Sequence, residues 1–192
     1  MKLRNIRSLS VSEIGMGCMG FSHGYGQIPD TKYSEEAIRE AFDYGCNFFD
    51  TAEGYGKDLY YPGHNEEIVG RAVKGFRNEV VIATKLHLQP ATVEDCGSVY
   101  AAVRRHIENS LKNLQTDYVD LYYLHRINME VDYLEVAHAM GRLIQEGLIR
   151  EWGLSAVDKV QVEAAHAVTP VGAVQNIYSM VERTSEKDVI PF

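Results

Sequence analysis

Short apolar segments alternate with amphipathic segments along almost the whole chain. Six apolar runs have the length and composition of β-strands, at residues 14–17, 47–50, 80–85, 118–125, 150–155 and 172–176. Between them, apolar residues recur at the three- and four-residue spacing of helices that bury one face. Polar residues that can cap a helix precede four of these five helical stretches: Ser34, Asn65, Ser98 and Asp158.

The regular repetition of strand and helix predicts βα units and a parallel sheet. Two architectures have this pattern: a doubly wound sheet of five or six strands, and a (β/α)8 barrel of eight strands. The length of 192 residues favours the first, and so does a GxGxxG motif at Gly15, Gly17 and Gly20. In a dinucleotide-binding fold, however, those glycines open a helix directly, whereas Gly20 is followed by FSHGYGQIPDTKY, which cannot be helical.

We therefore expect an α/β fold of the (β/α)8 TIM-barrel type, with about six of the eight βα units present in this chain. No linker or low-complexity stretch divides the sequence, so residues 1–192 are predicted to form a single, partial barrel domain. Residues 1–12 do not fit the βα period, and they are expected to form a β-hairpin over one end of the barrel.

Charge and composition narrow the class of partner. The chain has 19 basic and 27 acidic residues, a net charge of −8, which argues against nucleic-acid binding and against attraction to an anionic membrane. It contains neither an 18-residue apolar run nor a signal-peptide start. The three cysteines lack a CxxC pair, which favours reduced thiols and a cytoplasmic location. No HxH or HExxH pair occurs among the seven histidines, so no metal site is expected.

Polar side chains collect where the predicted strands end. Asp50, Lys85 and His125 close three successive strands, and Tyr55 follows Asp50 in a glycine-rich loop. The carboxyl ends of barrel strands share one rim, so these four side chains are expected to converge. Each residue alone has a purely structural explanation. Asp50 could cap a turn, Lys85 could be solvated, Tyr55 could pack on the surface, and His125 could be a hydrogen-bonded histidine at the rim. Their occurrence at successive strand ends is what favours a common site.

Together the four residues form a proton-donating set. A free phenol, with a pKa near 10, is too weak an acid at neutral pH, but an ammonium within about 4–6 Å favours the phenolate. In this scheme Asp50 keeps Lys85 charged, and His125 orients a carbonyl oxygen or relays the proton. Such a set would protonate a carbonyl oxygen as hydride reaches its carbon. It contains no hydride source, so it needs a nicotinamide cofactor.

The segments that carry these residues resemble the aldo-keto reductases strongly, in order and spacing. The similar segments, which span essentially the whole chain, are IGMGCMG, NFFDTAEGYG, VVIATK, SLKNLQTDYVDLYYLH, GLIREWGLS and AVQNIYSMVER. The resemblance implies a (β/α)8 barrel that reduces an aldehyde or ketone to an alcohol with NADPH.

The resemblance also implies specific site residues. The catalytic tetrad would be Asp50, Tyr55, Lys85 and His125, with Tyr55 as the general acid. Ser155 and Gln175 would hydrogen-bond the nicotinamide carboxamide, and Asp50 would also contact the cofactor ribose. The substrate would be a small carbonyl compound, and the loop candidates His23, Tyr25, Tyr60 and Tyr61 do not define a pocket for it.

The sequence departs from the family pattern in two ways. Ala156 follows Ser155 where the family often has asparagine, so one amide partner for the carboxamide is lost. The family also has two further βα units, which supply a ring that stacks on the nicotinamide and a basic pocket for the 2′-phosphate. Either the chain is a truncated form or the sequence omits part of the protein, and open barrel edges would favour homo-oligomers.

Three alternative functions stay open at this point. The first is a nicotinamide-binding regulatory or redox-sensing module of the same fold without turnover, and the second is an inactive truncated form. The third is a Schiff-base barrel enzyme that uses Lys85 as its nucleophile.

Overall fold

The computed structural model describes residues 1–24 and 26–192, so Tyr25 lies outside the described residues. The described strands are β1 (Leu3–Ile6), β2 (Leu9–Ser12), β3 (Met16–Gly17), β4 (Phe48–Asp50), β5 (Val81–Leu86), β6 (Val119–Leu124), β7 (Ile149–Ser155) and β8 (Ala173–Gln175). The α-helices are α1 (Thr31–Asp43), α2 (His64–Val73), α3 (Pro90–Cys96), α4 (Val99–Leu114), α5 (Tyr133–Gln145) and α6 (Lys159–Val168).

Strands β3 to β8 form one parallel sheet in which each strand lies beside the next strand in the chain. A doubly wound sheet reverses its strand order at a switch point, and this sheet does not. The consecutive order, with helices between the strands, is that of six βα units of a TIM-type barrel. The predicted fold class is therefore confirmed. The last glycine of the GxGxxG motif, Gly20, lies in a short 3-10 turn, Met19–Phe21, and the first α-helix begins only at Thr31.

The register of the sheet explains why polar strand ends meet. Gly17 pairs with Asp50, Asp50 with Ala83, and Ser155 with Gln175. All six residues of β5 and all six of β6 are buried, because helices cover one face of these strands and interior side chains cover the other. The central strands thus form a rigid platform, and its carboxyl edge carries the candidate residues.

Two helices begin earlier than the sequence pattern indicated. The side chain of Asp30, not Ser34, caps α1 by accepting a hydrogen bond from the Tyr33 N–H at 2.8 Å. Ser34 is buried one turn further on, and its hydroxyl donates to the Asp30 carbonyl. Helix α2 begins at His64, after Gly63, so Asn65 is not a cap either. Ser98 and Asp158 do cap α4 and α6, as predicted.

Residues 1–12 contain an antiparallel pair, β1 and β2, at the amino end of the sheet. The Asn47 side chain joins this pair to β4, since it accepts from the Ser12 N–H at 2.6 Å and donates to the Ser10 carbonyl at 3.0 Å. Leu9 and Val11 are buried against interior side chains of β5 and β6: Val81, Ala83, Leu121 and Tyr123. The hairpin therefore covers the end of the sheet opposite the candidate site.

None of the helices in the described part of the chain is both long enough and apolar enough to cross a bilayer.

Candidate active site

Lys85 lies at the centre of the site, near the end of β5, and its side chain has no exposed surface. Its ammonium donates to the Asp50 carboxylate, to the Thr51 carbonyl at 2.7 Å and to the Tyr55 hydroxyl at 3.2 Å. A lysine ammonium has three protons to donate, so all of them are used. The cation is thereby fixed next to the phenol.

Tyr55 stands in the loop between β4 and α2. Residues 52–55 form a tight turn, in which the Tyr55 N–H donates to the Ala52 carbonyl at 3.1 Å. The chain then continues through Gly56, whose φ of 89° lies in the left-handed region that favours glycine. The Tyr55 ring meets the His125 ring edge-on, with centroids 5.8 Å apart and planes at 82°. Side chains from the ends of two neighbouring strands, Lys85 of β5 and His125 after β6, thus contact Tyr55.

His125 is the first residue after β6, and its N–H donates to the Leu86 carbonyl at 2.9 Å. Burial, followed by the nearby charges of Lys85, His87 and Arg126, lowers the pKa of His125 to about 4. The ring is therefore neutral at pH 7. A neutral imidazole can donate one hydrogen bond to a carbonyl oxygen, but it carries no surplus proton to transfer.

Gln175, at the end of β8, reaches back across the sheet to Asp50. Its Nε2 donates to Asp50 Oδ2 at 2.9 Å, so each oxygen of that carboxylate has a partner. Ser155 is paired with Gln175 in register, and the next residue, Ala156, donates its N–H to the Gln175 carbonyl at 3.0 Å. The sequence had suggested Gln175 only as a cofactor contact, and its bond to Asp50 was not foreseen.

Ala156 and Asn176 show how the end of β7 is held without the family's usual asparagine at position 156. Ala156 has a φ of 57°, a left-handed conformation that is strained for alanine and tolerated by asparagine or glycine. The Asn176 side chain uses both of its N–H groups nearby, on the Val157 carbonyl and the Ser185 hydroxyl, and its oxygen accepts from the Val157 N–H. Asn176 therefore supplies no free amide in place of the missing one.

A buried polar group supports β5 from behind. Glu66 of α2 accepts from the Thr84 hydroxyl at 2.6 Å and from the Asn113 side chain at 2.9 Å, and burial raises its pKa.

Cys18, beside Asp50, is also buried, which raises the pKa of its thiol well above the usual range. A thiol held protonated in this way is a poor nucleophile, so it adds no chemistry to the site.

Two of the loop tyrosines considered for substrate contact are engaged elsewhere. The Tyr60 ring stacks on His64, with centroids 4.0 Å apart, and the Tyr61 hydroxyl donates to Glu67 at 2.9 Å. Neither interaction brings them to the Lys85 ammonium. The carboxyl ends of the strands thus bring together a phenol, an ammonium, a neutral imidazole, a primary amide and a carboxylate.

The aldo/keto reductase family model matches residues 13–192 of the chain. The chain belongs to the aldo/keto reductase family. It is 37% identical over 187 residues to the aldo-keto reductase YhdN of Bacillus subtilis strain 168, and 34% identical over 189 residues to probable aldo-keto reductase 1 of Glycine max. Each alignment covers 96% of this chain but only 55% and 53% of those relatives, so the chain spans about half their length.

Solved reductases share the fold. An aldo/keto reductase from Klebsiella pneumoniae, solved in complex with NADP and acetate, superposes with a TM-score of 0.79 at 33% identity. The superposition covers 95% of this chain and 60% of that one. The described βα units thus correspond to part of a reductase barrel.

Proposed function

We propose that this protein takes part in the NADPH-dependent reduction of small aldehydes or ketones to alcohols, with Tyr55 as the proton donor. The observation that carries the proposal is the 3.2 Å contact between the Tyr55 hydroxyl and the buried Lys85 ammonium. Family membership supports the reaction class, and the NADP bound to the reductase from Klebsiella pneumoniae supports the choice of cofactor.

The proposed roles follow from charge and position. When Tyr55 gives its proton to a carbonyl oxygen, negative charge develops on the phenol oxygen, and the adjacent ammonium stabilises that charge. Asp50 and the Thr51 carbonyl keep Lys85 oriented through this step. His125, being neutral, hydrogen-bonds the carbonyl oxygen and orients it toward Tyr55 rather than competing as an acid.

The residues at the ends of β7 and β8 suit a nicotinamide. In this proposal the Ser155 hydroxyl and the Gln175 amide hydrogen-bond the carboxamide, and Asp50 accepts from a ribose hydroxyl. The pairing of Ser155 with Gln175 and the bond from Gln175 to Asp50 support it, because they bring the three residues together. When bound, the reduced nicotinamide supplies the hydride. Gln175 would then divide its amide between Asp50 and the carboxamide, which couples cofactor binding to the carboxylate that holds Lys85.

Two of the three alternatives, the Schiff-base enzyme and the binding module, have less support. A Schiff-base enzyme needs a free lone pair on its lysine nitrogen, whereas Lys85 donates to three acceptors. A binding module without turnover would not require a phenol that contacts both an ammonium and an imidazole. The edge strands of the parallel sheet, β3 and β8, are the proposed contacts of a homo-oligomer, which light scattering would test.

The substitution Tyr55→Phe tests the proposed acid. We expect kcat to fall by about 10²–10⁴-fold, because a positioned proton donor is removed, while the Kd for NADPH changes less than about threefold. The matched control is Tyr33→Phe, an exposed tyrosine on α1, which should leave both constants unchanged. A Tyr55→Phe protein that retains more than about a tenth of the wild-type kcat would remove Tyr55 from the role.

A further inference from the structure

The loop that carries Tyr55 is not supported by packing on its outer side. A cavity of about 480 Å³ lies there, and its walls include Glu53, Gly54, Gly63, His87 and His106. A segment with a cavity on one side lacks dispersion contacts on that side, so polar contacts must hold it in place. The position of the Tyr55 hydroxyl relative to Lys85 therefore depends on those contacts.

Glu53 makes four polar contacts that tie this loop to its surroundings. Its N–H donates to the Lys85 carbonyl at 3.2 Å, and its carbonyl accepts from the Gly63 N–H at 2.8 Å. Its carboxylate accepts from the His87 N–H at 2.8 Å through Oε1, and Oε2 lies 2.7 Å from His106 Nδ1. One residue thus links the loop to its own far end, to the extension of β5 and to α4.

The fixed point on the helix side is His106. In the tautomer that carries its proton on Nδ1, His106 donates a hydrogen bond to the Glu53 carboxylate, whose oxygens accept it. The Glu53 and His106 side chains are 20% and 18% exposed, so water competes weakly for the bond. Val103 and Ile107, on either side of His106 in α4, are buried in the core. The helix therefore offers Glu53 a rigid anchor.

We propose that Glu53 is a positioning residue that holds the Tyr55 hydroxyl within hydrogen-bond reach of Lys85. This inference rests on the proposed function of Tyr55. Glu53 precedes Tyr55 by two residues within the turn that the Tyr55 N–H closes on Ala52, so a displacement of Glu53 moves the phenol. The contact of 3.2 Å between Tyr55 and Lys85 is already at the long end of the hydrogen-bond range. A shift of about 1 Å in a reacting group costs about 100-fold in rate.

Kinetics of Glu53 variants provide the first test. We expect Glu53→Ala to lower kcat by about 10–100-fold, with KM for the carbonyl and Kd for NADPH within about threefold of wild type. Glu53→Gln keeps an oxygen that can accept from the His87 N–H, so it should restore kcat to within about tenfold of wild type. The control is Glu35→Ala, a carboxylate on α1 that is 18% exposed and bonded to Arg71 at 2.7 Å. It should lower stability without changing kcat.

Amide hydrogen exchange of the protein without cofactor provides a second readout that needs no turnover. In Glu53→Ala we expect the His87 and Gly63 amides to exchange at least about tenfold faster than in wild type, and Glu35→Ala to leave them unchanged. Unchanged exchange in Glu53→Ala would overturn the inference. So would a kcat within about threefold of wild type while Tyr55→Phe is inactive. If Tyr55→Phe is fully active, the proposed function fails instead, and the exchange rates alone decide whether Glu53 holds the loop.

Discussion

The substitution Lys85→Met separates the charge of this lysine from its packing. Methionine keeps an unbranched apolar stem in the buried site but removes the ammonium and its three hydrogen bonds. The Asp50 carboxylate is then left with the Gln175 amide as its partner, and the Thr51 carbonyl loses the Lys85 donor. The loss should therefore appear in stability as well as in activity.

The size of the effect follows from burial. Removing one partner of a buried ion pair typically costs about 3–5 kcal/mol, because the remaining charge is uncompensated. Asp50 retains 17% exposure, so water can reach it, and we expect about 3 kcal/mol for Lys85→Met. Asp50→Asn strands a cation with no exposed surface and should cost about 4 kcal/mol. The double variant removes both charges and should cost only about 2 kcal/mol, far less than the two single losses together.

Urea denaturation gives the free energy of unfolding of the wild type, the two single variants and the double variant. The fluorescence of Trp152, the only tryptophan, follows the transition. Trp152 is buried in β7, where its indole N–H donates to the Thr169 and Pro170 carbonyls, so it reports on the sheet. Lys74→Met, an exposed lysine after α2, is the control and should change stability by less than about 0.5 kcal/mol. If the double variant loses the sum of the two single-variant losses to within about 0.5 kcal/mol, Lys85 and Asp50 are not coupled and the reasoning is refuted.

Two further predictions concern Ala156 and His125. Ala156→Gly should raise the melting temperature by about 2–4 °C, because it removes about 1 kcal/mol of left-handed strain, and a calorimetric scan showing an unchanged or lower temperature would contradict this. Burial lowers the pKa of His125 in the folded protein to about 4, against an ordinary value of 6.5. Between pH 6.5 and pH 4 the unfolded chain therefore binds more protons than the folded protein, and the free energy of unfolding falls as the pH drops through that window. The loss of unfolding free energy from pH 7 to pH 4.5 should therefore be smaller in His125→Gln than in wild type, and equal losses in the two proteins would argue against a depressed pKa.

The strand ends could be located from the sequence because buried parallel strands are short apolar runs, and their polar carboxyl ends share an edge. That reasoning is enough to bring Asp50, Lys85 and His125 together. The start of α1 could not be placed in the same way, because Lys32 and Tyr33 in its first turn are exposed and the apolar spacing begins one turn later. Helix α3 has no buried residue, so it leaves no apolar stripe, and only Pro90 at its first position marked it.

The partners of the site residues were harder to foresee than their positions. The bond from Gln175 to Asp50 joins residues 125 positions apart, and an amide can satisfy many acceptors, so nothing local in the sequence selects this one. Glu53 was overlooked for a related reason. The groups that Glu53 contacts, His106 and the His87 amide, are placed beside it by the fold and show no spacing relation to it in the chain.

The hairpin at the amino end has a consequence for synthesis on the ribosome. Leu9 and Val11 are made before the interior side chains that bury them, which belong to β5 and β6. At about 5–20 residues per second, the roughly 110 residues between Leu9 and Leu121 take roughly 6–22 s to be made. An isolated two-stranded hairpin is marginally stable in water, so its apolar face stays accessible to chaperones throughout that interval. Translation speed between β2 and β6 should therefore influence the yield of folded protein.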